Sequence, residues 1–197
     1  MKNFRLAICF GLICAVMLSM SRFDALCDDL RSNVFRLHIL ANSNSNDDQA
    51  LKLKVRDEVL KVSEECFKDC KNSEEAIKSA ENNMLLFKQA AETVIKTSGY
   101  DYDVQIDIAP SYFENRRYDS FMLPAGEYMA LNIKIGNANG KNWWCVMFPQ
   151  VCIGASKGLS EGVLEESAEL ANSPQNYVFK FKTVEIYQEI KKIFKKT

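Results

Sequence analysis

The sequence is short of the residues that most often build metal and catalytic sites. Among its 197 residues there is one histidine, His38, and the seven cysteines are not paired at the tight spacing that a structural zinc site requires. Gly136 and Gly140 lack the lysine and the following helix of a phosphate-binding loop. We therefore expect no metal, no cofactor, no small-molecule substrate and no catalytic centre.

An excess of charge of either sign is also lacking. Lysine and arginine number 25, aspartate and glutamate number 26, and the formal net charge is −1 at pH 7. Without a basic excess there is no general attraction to a phosphate backbone, which argues against a nucleic-acid partner. Near the C-terminus, a group of lysines is compatible with peripheral contact to an anionic membrane or the cell wall. Such cations equally suit the C-terminal end of a helix, where they complement the helix dipole.

The N-terminus has the pattern of an export signal. Lys2 and Arg5 precede residues 6–20, a predominantly apolar run of secretory length. This pattern predicts that residues 1–21 are a secretory signal, either cleaved after Ser21 or retained as a membrane anchor. Export would place the rest of the chain where disulfides form.

Hydrophobic periodicity predicts strands and amphipathic helices in the rest of the chain. Two apolar stripes at helical spacing predict helices that pack as a hairpin against a sheet. The first predicted segments are a linker over 22–33, a strand over 34–41, a helix over about 47–70 capped by Asn46, and a helix from Asn72 to about 98 stopped by Gly99. They are followed by a strand over 103–109 ended by Pro110, and by a hairpin of strands 129–135 and 142–149 joined by the turn 136–140.

Beyond residue 152 the patterns are weaker. They predict a short acidic helix over 159–172, a short strand over 177–182 and an amphipathic helix over 183–196. Together the patterns predict an α+β fold, with a single mixed or antiparallel sheet packed by the two-helix hairpin in one domain over residues 34–152. Residues 153–197 are predicted to form a C-terminal helical extension packed on that domain.

Two features of the predicted strands are candidates for recognition. Trp143 and Trp144 are adjacent on a strand and therefore point to opposite faces, so one is expected in the core and the other is available for contact. His38 shares a strand face with Arg36, opposite the apolar face. We interpret it as a rim or partner-contact histidine and not as a catalytic base.

Four of the five cysteines after the signal form two pairs along the sequence. Cys145 lies at the end of a strand and Cys152 follows a proline, where the chain can turn back, so a disulfide between them is predicted. Cys66 and Cys70 are four residues apart on a predicted helix, where a bridge is strained. They are predicted to be small apolar side chains on a buried face.

Two segments carry motifs that together are specific. The first is Phe-Arg-Leu-His-Ile-Leu-Ala-Asn-Ser over 35–43, followed by Leu-Lys-Leu-Lys-Val-Arg-Asp over 51–57. The second is Leu-Pro-Ala-Gly-Glu-Tyr over 123–128 with Asn-Trp-Trp-Cys-Val-Met-Phe-Pro over 142–149. These motifs resemble the stage II sporulation protein R family of endospore-forming bacteria. The chain departs from the family pattern at residues 150–151, where a proline and a leucine are usual, and this departure concerns the local turn.

The resemblance implies a signalling protein and not an enzyme. Proteins similar to this one are exported from the forespore into the space between the two sporulation membranes. There they trigger a membrane-bound aspartic protease, which converts the precursor of sigma-E into its active form. The predicted partner is therefore that protease, and the predicted contacts are Arg36, His38, Asn42, Ser43 and the more exposed of Trp143 and Trp144.

Two alternatives from other classes stay open at this point. One is an exported cell-wall enzyme in which His38 works with a carboxylate. The other is a binding or structural module that an uncleaved signal tethers to the membrane. Turnover of wall fragments by the chain alone would favour the enzyme.

Overall fold

The computed structural model describes residues 2–118, 121–149, 171 and 181–186, and predictions for other residues lie outside it. The described chain combines helices with a mixed four-stranded sheet, which confirms the predicted α+β class. Its elements are α1 (Lys2–Ser32), β1 (Phe35–Leu40), α2 (Asn46–Phe67), α3 (Ser73–Asn82), α4 (Met84–Thr97), β2 (Val104–Phe113), β3 (Arg116–Arg117), β4 (Met122–Leu123), β5 (Gly126–Ile135) and β6 (Asn142–Phe148). Residues 181–186 are also helical.

Strand β1 lies between β5 and β6, so the predicted hairpin of these two strands is wrong. The strand order is β2–β5–β1–β6, in which β1 is parallel to β5 and antiparallel to β6. The connection over residues 136–141 therefore crosses the end of β1, a distance of about 10 Å between next-nearest strands. Six residues span this distance with ease. Apolar alternation defines the faces of a strand but not its neighbours, which explains the error.

One face of the sheet is covered by α2, α3 and α4. Phe35, Leu37 and Ile39 of β1 point into this layer and are fully buried. They pack with the apolar stripe of α2, which includes Val55 and Val59. Burial of a side chain of this size stabilises the fold by about 1.5–3 kcal/mol. This layer therefore fixes the helices on the sheet.

The C-terminal third of α1 covers part of the opposite face, and the predicted linker over 22–33 is corrected to a packed helix. Phe23, Cys27 and Leu30 recur at helical spacing and form a second core with residues such as Tyr128. This apolar stripe is narrow, and the many polar residues between its members suggested a linker. They lie on the other sides of the same helix.

The N-terminal part of α1 has a different environment. Its large apolar side chains are exposed, namely Phe4, Leu6, Ile8, Phe10, Leu12 and Leu18. In the described part of the chain, no helix combines the length and the apolar character needed to cross a membrane. The assignment of residues 1–21 as an export signal stays a prediction.

The helix starts are explained by side-chain caps. At α2 the cap is Ser45 and not Asn46, because the Ser45 hydroxyl accepts a hydrogen bond from the Asp48 backbone N–H at 3.1 Å. At α3 the predicted cap is confirmed, since Asn72 Oδ1 accepts from the Glu75 backbone N–H at 2.9 Å. Both caps satisfy N–H groups that a helix start leaves without partners.

The predicted elements differ in outcome at three other points, Asn83, Gly99 and Pro110. The predicted second helix is interrupted at Asn83 and forms α3 and α4. Its end at Gly99 is confirmed by the positive φ of 85°, which favours glycine. Strand β2 does not end at Pro110 but continues through it, paired with Met129 of β5. Proline is tolerated there because β2 is an edge strand.

Candidate partner-binding site

The loop after β1 is held by hydrogen bonds within the fold. Asn42 Nδ2 donates to the Asp48 carboxylate at 2.9 Å, and Asn42 Oδ1 accepts from the Asn137 backbone N–H at 3.0 Å. Ser43 Oγ donates to the same carboxylate at 2.6 Å. The predicted contact residues Asn42 and Ser43 are therefore engaged in joining β1, α2 and the connection over 136–141.

The ionised form of Asp48 is favoured by this arrangement. Burial acts to raise the pKa of its carboxyl group, but hydrogen bonds from Ser43, Asn42, Tyr102 and Ser45 outweigh it, and the pKa is lowered. A carboxyl group with a lower pKa in the folded state stabilises the fold above its unfolded pKa of about 3.9. That contribution is lost as the pH falls through the folded value.

Asp48→Asn is expected to lower the free energy of unfolding at pH 7 by about 1–3 kcal/mol, because an amide accepts fewer of these hydrogen bonds. Below the lowered folded pKa of Asp48 the wild-type carboxyl group is also uncharged, so the difference between the two proteins should shrink as the pH falls below the unfolded value of about 3.9. Urea unfolding at pH 7 and at pH 3 measures both differences. An equal difference at both pH values would contradict a role for the ionised carboxylate.

Arg36 lies in the core and not at the rim, which corrects its prediction as an exposed contact. Its side chain is fully buried, and the guanidinium carbon lies 3.9 Å from the ring centroid of Phe113 and 4.9 Å from that of Tyr128. Nη2 donates to the Tyr118 hydroxyl at 2.7 Å, whereas Nε and Nη1 have no hydrogen-bond partner within the described residues. Strand alternation places Arg36 opposite the apolar face. It does not reveal that α1 and aromatic rings cover this second face too.

His38 lies two residues further along the same face, in a row that crosses the sheet. Its register partners are Asn132 on β5 and Trp144 on β6, and Asn132 pairs in turn with Asp107 on β2. His38 Nδ1 lies 3.2 Å from Asn132 Oδ1, and His38 Nε2 lies 2.9 Å from Asn142 Oδ1. Asp107 and Asn142 are exposed and His38 is half-buried, so this part of the face is open.

Further hydrogen bonds complete the row. Asn132 Nδ2 donates to the Asp107 carboxylate at 3.1 Å, and Ser111 Oγ donates to Asn132 Oδ1 at 2.9 Å. We call Asp107, Ser111, Asn132, His38 and Asn142 the His38 row. Asn132 is itself buried, so its hydrogen bonds are shielded from water and hold the row in place.

The two tryptophans lie on opposite faces, as predicted, and both are half-buried. Trp143 faces the helical layer, where the Arg56 guanidinium carbon lies 4.6 Å from its ring centroid. Trp144 lies beside His38, with ring centroids 6.2 Å apart, and the Arg116 guanidinium carbon is 5.4 Å from its ring. Trp144 is therefore the tryptophan that belongs to the open face.

The Leu-Pro-Ala-Gly motif has a structural role beside this face. Tyr128 donates its hydroxyl to the Pro124 carbonyl at 2.6 Å, and Ala125 N–H donates to Asn115 Oδ1 at 2.7 Å. Arg31 Nε on α1 donates to the Ala125 carbonyl at 3.1 Å. These bonds attach the end of α1 to the start of β5, so the motif fixes how much of the sheet α1 covers.

The cysteines of the described chain differ in environment. Burial raises the pKa of the Cys27 thiol to about 12, which makes it unreactive. Cys66 and Cys70 are free, as predicted, and half-buried against the core of the helical layer. Cys145 is buried in β6, and Cys152 lies outside the described residues, so a bridge between them stays a prediction.

Most of the His38 row was missed by sequence reasoning. Alternation places Asp107 and Asn132 on the outward face of their strands, and Ser111 follows the proline that was taken as a strand end. The one sequence signal that could have pointed to this row is that Asp107 and Asn132 both face outward from their strands. The pairing of β1 with β5, which brings His38 to Asn132, is a contact between residues 94 apart that no local pattern encodes.

Comparison with known proteins gives a consistent result. Residues 31–157 match the family model described as stage II sporulation protein R. The chain is also 35% identical over 159 residues to the stage II sporulation protein R of Bacillus subtilis (strain 168), an alignment covering 72% of this chain and 71% of that relative. No solved structure matches. The matched residues 31–157 include the whole His38 row.

Proposed function

Because the chain belongs to the stage II sporulation protein R family, we propose that it is an exported signal that activates a membrane-bound aspartic protease and so leads to maturation of the sigma-E precursor. The family membership assigns the chain to sporulation signalling. The proposal that the chain contacts the protease rests on the open part of the sheet face, where the His38 row lies beside Trp144. Polar groups with an aromatic neighbour are typical of protein–protein contacts.

The proposed mechanism is a shift between two states of the protease. A signalling domain can favour an active arrangement only if it binds that arrangement more tightly than the inactive one. The open face is suited to this because the hydrogen bonds of its buried Asn132 hold the groups in fixed positions before the partner arrives. Little ordering is then required on binding.

We further propose export from the forespore to the intermembrane space, with residues 1–21 as the signal. The change in exposure along α1 supports this, since Leu18 is 73% exposed and Phe23 is 2% exposed. Cleavage after Ser21 would remove the exposed apolar part and leave the packed part in the domain. An uncleaved signal would leave the same domain tethered to the membrane.

The test of the proposed function is reconstitution from purified components. The chain, the membrane-embedded protease and the sigma-E precursor are combined, and precursor cleavage is followed as the chain concentration rises. We expect no cleavage without the chain and a plateau at a stoichiometric amount of it relative to the protease. Cleavage that is independent of the chain would contradict the proposal.

The rival function is an exported cell-wall enzyme. One sequence feature favours it, because Gly154, Ser156 and Gly158 form a Gly-x-Ser-x-Gly pattern outside the described residues. We expect Ser156→Ala to trigger precursor cleavage as the wild type does, and the wild-type chain alone to release no fragments from purified cell wall. Release of fragments that Ser156→Ala abolishes would establish the rival.

The predicted disulfide between Cys145 and Cys152 is part of the proposal for an exported chain. Alkylation of the exported protein without reduction, followed by mass spectrometry, should leave these two cysteines unmodified. Cys145→Ser should then lower the free energy of unfolding by about 2 kcal/mol, the value for a short closed loop. Cys66→Ser, which removes a free thiol, is the control. Alkylation of Cys145 in the exported wild type would contradict the bridge.

A further inference from the structure

The orientation of the Asn132 amide determines which nitrogen of His38 carries the proton. The Asp107 carboxylate only accepts hydrogen bonds, so it requires the NH2 group of Asn132 at 3.1 Å. Asn132 Oδ1 must then face the other way, where Ser111 Oγ donates to it at 2.9 Å. His38 Nδ1, at 3.2 Å from the same oxygen, has to be the donor. A neutral ring in this position is the Nδ1–H form.

The second ring nitrogen is then left as an acceptor that faces the open side. In the neutral ring, Nε2 carries a lone pair and cannot donate to Asn142 Oδ1, which lies 2.9 Å away. A half-turn of this amide brings its NH2 group to Nε2 instead. Asn142 is exposed and its side chain has no other hydrogen bond within the described residues.

We propose that His38 Nε2 is the acceptor for an amide N–H group of the polypeptide partner, and that Asn142 occupies this place until the partner binds. The proposal rests on the proposed function and adds the chemistry of the contact. Asp107, Ser111 and Asn132 are the positioning residues, because they fix the ring in the accepting form without touching the partner. The group that lies against Nε2 in the free chain is the exposed side-chain amide of Asn142. An amide N–H of a polypeptide has the same donor chemistry and can take its place.

The first test needs no partner, because the chain has a single histidine. The full chain labelled with 15N in histidine gives one set of imidazole signals, measured by long-range 1H–15N correlation at a pH where the ring is neutral. We expect a protonated Nδ1 and an unprotonated Nε2. Asn132→Ala should shift the ring toward the Nε2–H form, whereas Lys61→Ala, on the exposed side of α2, should change nothing.

The second test uses the chain concentration that gives half-maximal precursor cleavage. Asn132→Ala should raise it about tenfold, as expected for the loss of one oriented hydrogen bond. Asn142→Ala should lower it, because it removes the internal competitor. His38→Gln carries an acceptor to the Nε2 position and should retain activation, whereas His38→Asn reaches only the Nδ1 position and should lose it.

The outcomes separate cleanly. A wild-type ring in the Nε2–H form would overturn the inference. So would an Asn132→Ala variant that has the altered ring and an unchanged half-maximal concentration, since His38 would then not meet the partner. If the wild-type chain fails to trigger cleavage at all, the proposed function falls and takes the partner contact with it, while the ring measurement still decides the state of His38.

Discussion

Gly140→Ala is expected to lower the free energy of unfolding by about 3 kcal/mol or more, a large part of the stability of an ordinary domain. A Cβ atom at this position would overlap the Ser43 carbonyl oxygen and would lie 2.8 Å from the Ala41 Cβ atom. These neighbours cannot move freely. The Gly140 N–H also donates to the Ala41 carbonyl at 2.9 Å, so the new side chain would separate the connection over 136–141 from the end of β1.

Urea unfolding followed by tryptophan fluorescence measures this effect, because both tryptophans lie on the strand that follows the connection. The matched control is Asn139→Ala. Its side chain is exposed, and its backbone N–H keeps the hydrogen bond to the Asn42 carbonyl. We expect the control to stay within about 0.5 kcal/mol of the wild type. A small effect at Gly140 would show that the connection does not cross β1 in close contact.

Substitution of Arg36 is expected to give the second large effect on stability, and its size depends on which residue replaces the arginine. Arg36→Ala is expected to cost about 3–5 kcal/mol, because it leaves a cavity between Phe113 and Tyr128. Arg36→Met fills the same space without a charge. It loses the stacking energy but also removes a buried cation whose Nε and Nη1 have no hydrogen-bond partner in the described chain. We expect it to be at least as stable as the wild type.

Thermal and urea unfolding of the two variants, side by side, test this account of Arg36. The difference between them should be about 3 kcal/mol or more in favour of methionine. If Arg36→Met is instead as unstable as Arg36→Ala, the charge itself stabilises the core. Tyr118→Phe is a useful companion, since it removes only the hydroxyl that accepts from Nη2.

Local features of the fold were predictable from the sequence, and contacts between distant elements were not. Strand β1, the apolar stripes of the helices and the cap at Asn72 follow from spacing that the chain itself displays. The place of β1 between β5 and β6 depends on which strand edges meet. Both strands would also satisfy the same pattern as a hairpin, so alternation could not separate the two topologies.

In the candidate site, too, local features were predictable and contacts between distant elements were not. His38 and Trp144 were recognised because the chain has a single histidine and only two tryptophans, which are adjacent on one strand. The register of β1 places them side by side. Arg36 was misjudged because a charged residue on a strand face is ordinarily exposed, and here aromatic rings from β2 and β5 cover it. Asn42 and Ser43 have polar groups suited to binding, but the fold itself uses them.

Site-specific photo-crosslinking tests most directly the central claim that the open sheet face meets the protease. A photoreactive phenylalanine derivative is placed at position 142, beside His38, or at position 61, on the exposed side of α2 behind the opposite face. Both chains are irradiated with the membrane-embedded protease. Our account predicts a crosslinked product from position 142 and none from position 61. A product from position 61, with none from 142 in a chain that still triggers precursor cleavage, would contradict it.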